Sequence, residues 1–249
     1  MIDLNVHTGS WPFQRFPFDS LEALADHLAA EEIGIGYVSH LGCVFYADPD
    51  VYNRELIEGC RDVQSLRPVP VINPHLNGWR QNLSAYLDEG VRAVKIIPSF
   101  HNFRLYSRPV FELIEALEDA GRRLMIQMRY EDERERYFAL NVYGPKVDQV
   151  VKLANRFAET EILCLNAYLP EASELGKRTS NVLVDIAFAE WILTMNLMLE
   201  DLAPERIVFG SHSPFLVTRS AVMKLMESGI ADTIKRQIAT TNAERFLGD

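Results

Sequence analysis

Five of the six histidines in this chain stand where a strand-like run gives way to a loop. His7, His40, His75 and His212 follow such runs directly, and His101 lies in the loop after another. Imidazole changes charge near neutral pH, so this set could move protons or hold a transition metal. Asn5, Gln127, Asn166 and Asp185 stand at the ends of similar runs, as do the cations Lys95 and Arg129. Amides can orient a substrate or hold an oxyanion, and paired cations suit a carboxylate. Asn5, His7, Lys95, Gln127, Asn166, Asp185 and His212 take inward strand-end positions that apolar residues fill in a purely structural core. Burying them costs free energy unless they bond one another, water or a ligand. A self-satisfied polar plug is the other use of the same residues. For Lys95 and Arg129 the structural alternative is a salt bridge to Asp185 or Glu131.

The elements that must position these groups can be read from hydrophobic periodicity. Strand-like runs fall at 2–7, 37–40, 69–73, 93–97, 124–129, 162–166, 182–186 and 206–210. Helical patterns separate them. One starts at a capping box, Asp19-Ser20-Leu21-Glu22. Others cover 50–64, 79–87, the stretch opened by Pro109, the stretch through Val147–Leu153, a short piece at 171–176, and two final helices at about 216–228 and 231–247. Residues 189–200 read as a helix that is apolar nearly all round, hence deeply packed or part of a homo-oligomer interface. Continuous apolar strands imply a parallel sheet buried on both faces. Eight βα units predict a (β/α)8 TIM barrel, one domain over residues 1–249, with its site at the C-terminal strand ends. A doubly wound sheet is the rival, and it usually carries a glycine-rich first turn; the chain has no GxGxxG.

Composition narrows the function classes. A net charge of −10 and the lack of a Lys/Arg-rich run argue against nucleic acid. Three dispersed cysteines, Cys43, Cys60 and Cys164, form no CxxC pair and suggest a reducing compartment. Cys43 reads as a small packing residue. No basic region followed by an apolar run opens the chain, and no apolar run is long enough for a membrane span, so a cytoplasmic protein without membrane contact is expected. Near the predicted mouth, Trp11, Phe13, Phe16 and Phe18 could wall a substrate site. The charged run Glu131–Arg136 reads as a solvated face from which Glu131 or Arg134 could reach it.

Four motifs carry a resemblance. IDLNVHTGSWPF resembles an Asp-x-His-x-His entry, VRAVKIIPSF a strand-four motif with its lysine, RIVFGSHSP the motif Phe-Gly-Ser-Asp-x-Pro, and TTNAERFLG a terminal helix with Asn-Ala-x-x-Leu. Together they resemble the amidohydrolase superfamily over nearly the whole chain. The likeness is to the amidohydrolase 2 branch of metal-dependent hydrolases, which includes a decarboxylase of aminocarboxymuconate semialdehyde. The resemblance implies a TIM barrel and a metal site, but the metal positions are altered. The family's first ligand histidine falls on Asn5, and only the second survives, as His7. The later histidines fall on Gln127 and Asn166, and the metal-binding, water-activating aspartate falls on His212.

Three readings follow. The first is a hydrolase or lyase on a small carboxylate-bearing molecule, with His7 and His212 as acid and base. Asn5, Gln127, Asn166 and Asp185 support them, and Lys95, Arg129, Trp11, His40, His75 and His101 bind substrate. The second keeps one weakly held divalent ion, zinc or manganese, on His7 and His212, completed by amides or Asp185. The third is a non-catalytic small-molecule-binding barrel.

Overall fold

Residues 1–46, 48–134 and 142–248 are described by the structure, a computed structural model. Eight parallel strands alternate with helices: β1 (Ile2–Thr8), β2 (Ile35–His40), β3 (Leu66–Pro68), β4 (Ala93–Ile96), β5 (Arg123–Gln127), β6 (Ile162–Leu165), β7 (Val182–Asp185) and β8 (Ile207–Val208). They form two arcs, β1-β2-β3 and β4-β5-β6-β7-β8. Two thin seams close the arcs into a barrel. At one, Val71 bridges Lys95, with the Lys95 amide donating to the Pro70 carbonyl (2.8 Å). At the other, Val6 bridges Ser213, with the His7 amide donating to the Ser213 carbonyl (2.8 Å).

Side chains alternate along a strand, so each strand feeds two packing layers. Val38, Val94, Ile126, Ile162 and Val184 face the surrounding helices and join the large outer core. Leu4, Tyr37, Val69, Ala93, Met125, Leu163, Leu183 and Val208 pack with one another inside the barrel, against Phe246 and Leu247 of the last helix, Asn242–Leu247. Two residues further along β4, β5 and β7 the same inward face carries Lys95, Gln127 and Asp185.

The eight strands lie where periodicity predicts them, with one displaced. β3 covers 66–68 rather than 69–73, and only Val71 of the predicted run bridges β4. Pro70 has no N–H to give, so a regular ladder cannot continue through it. The first helix, Leu21–Ala30, is capped by Ser20, whose hydroxyl accepts from the Ala23 amide (3.2 Å); the box expected on Asp19 is not formed. The weak pattern at 171–176 belongs to a full helix, Leu169–Arg178.

The apolar stretch at 189–200 needs the largest correction. Its helix is only Thr194–Asp201, and Trp191, Ile192 and Leu193 are 74%, 82% and 69% exposed, which rules out deep packing there. Leu193 takes a left-handed φ of 59°, and Thr194 Oγ1 bonds both the amide and the carbonyl of Trp191, so a turn replaces the first helical turn. Glu135 and Arg136 of the charged run lie outside the described residues. Among the described residues no helix is long and apolar enough to cross a membrane.

Candidate active site

The residues above the apolar layer form one hydrogen-bonded network. Asn5 donates from Nδ2 to Asn166 Oδ1 (2.7 Å) and to Asp185 Oδ2 (2.6 Å). The Asn166 amide donates to Asp185 Oδ1 (2.8 Å), so both carboxylate oxygens are engaged. His7 Nε2 lies 3.0 Å from Asn5 Oδ1 and 3.1 Å from His212 Nδ1. His212 Nε2 lies 2.7 Å from the Tyr130 carbonyl. Asn166 Nδ2 reaches the Arg129 carbonyl (2.7 Å) and His212 Nδ1 (3.0 Å). All of these side chains are buried.

Backbone irregularities aim them. β1 shifts register between Asp3 and Val6, and Asp3 Oδ1 accepts from the amides of Asn5 and Ser211 (both 3.0 Å), tying β1 to the end of β8. Leu163 and Leu165 face inward, so simple alternation would turn Asn166 outward. Its left-handed φ of 62° brings it back to the network, and His212 has a similar φ of 56°. Gly210 has no room for a side chain: a Cβ there would sit 2.7 Å from Asp185 Oδ2 and 3.1 Å from Asn5 Cβ.

The network fixes the tautomers. A carbonyl only accepts, so His212 Nε2 carries its proton toward Tyr130 and Nδ1 is the bare acceptor. His7 then carries its proton on Nε2, shared between Asn5 Oδ1 and His212 Nδ1. This leaves His7 Nδ1 bare, and it has no partner. Burial, followed by the charges of Lys95 and His212, holds His7 well below the usual imidazole range, and burial brings His212 down to about 3. Both rings are therefore neutral at pH 7.

Other groups are left over. Lys95 Nζ and Gln127 Oε1 are buried without a hydrogen-bond partner, as is Asp3 Oδ2. Burial pulls Lys95 down to about 7, with Asp185 the largest opposing influence, and pushes Asp185 up to about 7 and Asp3 up to about 6.

A divalent ion does not fit this donor set. Both nitrogens of His212 and both oxygens of Asp185 are engaged, Asn5 and Asn166 present N–H groups, and His7 Nδ1 is the one bare imidazole nitrogen of the pair. Among the described residues no three His, Cys, Asp or Glu side chains are grouped to hold a metal. A catalytic zinc needs about three such ligands.

A layer of aromatic rings roofs the network. Phe215 stacks on His212 (4.6 Å between centroids, 13° between planes), and Tyr130 lies 5.3 Å from His7. Trp11 stacks on Tyr130 at 5.4 Å and donates from Nε1 to Glu131 Oε1 (2.9 Å). Above this roof opens a cavity of roughly 1000 Å³, with Tyr130 and Phe215 below, Tyr168, Phe188 and Trp191 at the sides, and the loop from Glu131 to Arg134 along it.

No family model matches the sequence, and no curated protein matches it. Solved structures do match in fold. A dihydroxybenzoic acid decarboxylase from Polaromonas, determined with manganese and the inhibitor 2-nitroresorcinol, superposes with a TM-score of 0.78 at 12% identity, over 99% of this chain and 96% of that one. A 5-carboxyvanillate decarboxylase from Sphingomonas paucimobilis gives 0.73 at 16% identity, over 91% and 82%. A Staphylococcus aureus protein described as an amidohydrolase gives 0.75 at 12% identity, over 100% and 99%. The chain shares the (β/α)8 barrel fold of these structures.

Within this barrel the expected site residues separate into two groups. Asn5, His7, Asn166, Asp185 and His212 are joined by hydrogen bonds, and Lys95 and Gln127 share their layer. Arg129 is not free to bind substrate. Its two Nη atoms bond Glu171 (both 2.6 Å), its Nε lies 3.8 Å from Glu133, and its guanidinium covers the Tyr168 ring; these acids replace the expected partners Asp185 and Glu131. Trp11 is part of the roof. His40 stacks on Tyr52 and accepts from the Gly42 amide, His101 bonds the Cys43 carbonyl, and His75 stacks on Phe103 beside Ser107. These three are peripheral to the network.

Phe13, Glu131 and Arg134 line the cavity, whereas Phe16 packs on Phe215 and Phe18 on His27. Cys43 is buried against Asn53, as expected of a packing residue. Sequence reading passes over Asp3, Tyr130, Glu171 and Phe215. The one available signal is that a buried Arg129 requires an acidic partner.

Proposed function

We propose that this chain is an enzyme, a hydrolase or lyase of a small aromatic carboxylate, using His7 as its general base. The observation that carries the reading is the pair of unsatisfied groups in one buried layer: the bare His7 Nδ1 and the unpaired Lys95 Nζ. A carboxylate in this layer gives the Lys95 ammonium the anion it lacks, and His7 Nδ1 takes a proton from the substrate or its water. Asn5 Oδ1 accepts from the other ring nitrogen, Nε2 (3.0 Å), so Nδ1 stays the basic atom. Tyr130 and Phe215 move toward the cavity to admit the substrate. The aromatic walls suit a ring, and the similar structures that act on aromatic carboxylates support the same substrate class. Proton transfer on this reading is done by the chain's own residues.

The test is a panel of phenolic carboxylates and lactones, with product and released CO2 both followed. Expected is turnover that persists in chelator and disappears in His7→Asn. Metal content, measured by mass spectrometry after dialysis against zinc or manganese, is expected to stay well short of one ion per chain; a stoichiometric ion overturns the metal-independent mechanism.

The closed roof favours a second reading, a binding barrel whose ligand stops in the upper cavity. In that case ligands bind, nothing turns over, and His7→Asn leaves affinity unchanged. The homo-oligomer expectation becomes a proposal about the exposed Trp191-Ile192-Leu193 turn: light scattering should detect association that a Trp191→Ser, Ile192→Ser variant loses.

A further inference from the structure

The upper cavity has a charge that the network below does not suggest. Among the described residues four acids face it, Glu131, Asp132, Glu133 and Glu190, against one cation, Arg134. Arg134 is held by Asp132 in a forked ion pair (Nη2 to Oδ2 2.5 Å, Nε to Oδ1 2.9 Å), so the two cancel. Glu133 lies 3.8 Å from the buried Arg129, which is already engaged by Glu171. Glu190 feels the ammonium of Lys224, but that amine donates to the carbonyls of Ile186 and Ala187. Glu131 has an indole N–H on one oxygen and, among the described residues, no ion pair. Among the described residues the mouth is therefore acidic, and its walls carry aromatic rings.

We infer that the mouth cavity selects aromatic ligands bearing a positively charged nitrogen, with Glu131 as the main group that reads the charge and Glu190 as the second. An ammonium at the mouth meets the open oxygen of Glu131 and the ring faces of Tyr130 or Trp191. Both interactions favour a cation, and both are strengthened where a cavity partly excludes water. An anion of the same size meets the same acids with the opposite sign. A carboxylate substrate that passes this mouth thus carries an amino or other cationic group at its outer end. The inference rests on reading the cavity as the entrance to the site.

Calorimetric titration of the full chain with phenethylamine, 2-phenylethanol and 3-phenylpropionate tests it, because the three differ mainly in charge. Phenethylamine is expected to bind about tenfold more tightly than 3-phenylpropionate, with 2-phenylethanol between them. Glu131→Gln should remove most of that preference, Glu190→Gln a smaller part, and added salt should reduce it in the parent. Glu190 is exposed, so its variant gives a reading even if Glu131→Gln folds poorly. Equal or tighter binding of the anion overturns the inference, as does a preference unchanged in both variants. Turnover of carboxylates that depends on His7, with no charge preference at the mouth, defeats this inference alone and leaves the proposed function standing.

Discussion

Two layers of the barrel interior, only two residues apart along the same strands, are built on opposite principles. Ala93, Met125 and Leu183 belong to the lower layer, which is apolar apart from the Tyr37 hydroxyl. Lys95, Gln127 and Asp185 belong to the upper one, where hydrogen bonds run from strand to strand and several polar atoms remain unsatisfied. Along β4, β5 and β7 the strand runs regularly through both layers, so the fold does not require the upper layer to be polar there. The difference separates what holds the barrel together from what the barrel is for. An unpaired buried lysine persists only where something other than stability keeps it.

This contrast can be broken in several places. The largest effect is expected at His7: His7→Asn should lower turnover by about 10²- to 10⁴-fold with little change in melting temperature. Steady-state kinetics beside a thermal melt checks this, and an unaltered rate would return the upper layer to a structural role. In the lower layer Leu163→Ala should cost about 2–5 kcal/mol through lost burial and a residual cavity, measured by urea unfolding. Lys95→Met should have the opposite sign, gaining about 1–4 kcal/mol while abolishing activity, because it removes a buried charge and keeps the volume. If Lys95→Met destabilises, the claim that this layer opposes stability fails.

The acid limb gives the next effect. His212 sits near 3 in the folded chain and at 6.5 when unfolded. As pH falls below 6.5 the unfolded chain takes up a proton that the folded chain refuses, so stability is lost between 6.5 and about 3. A urea series over that range should show a steeper fall for the parent than for His212→Asn. The smallest effect belongs to the roof. Trp11→Phe deletes the bond to Glu131 and keeps most of the stacking, for a cost of about 0.5–1.5 kcal/mol.

The barrel was legible in the sequence because its strands are short, apolar and regularly spaced, and because Gly and Pro punctuate them. Asn5, His7, Lys95, Asp185 and His212 were legible because polar residues at strand ends stand out against that pattern. Asn166 was expected with them, but it reaches the network through a left-handed backbone rather than by strand alternation; Asp3, which was not expected, joins beside a register shift, and neither irregularity has a residue-level signature here. The pairing of Arg129 with Glu171 spans 42 positions, and any of several acids could have served. Most hidden of all was the roof, since Tyr130 and Phe215 look like ordinary apolar residues until the chain brings them over His7 and His212.

The barrel's two seams have a consequence for motion. Each has one bridged pair, Val71 with Lys95 and Val6 with Ser213, the second backed by the Leu4 amide on the Phe209 carbonyl (3.1 Å), and each runs beside a residue of the polar network. Slow hydrogen exchange should therefore divide the molecule unevenly, with the five-strand arc the most protected and the amides of Lys95 and His7 opening well before it. The parts of the backbone that yield first are then the parts that hold His7 and Lys95, and a ligand seated between them would act as a rivet, slowing exchange across both seams at once.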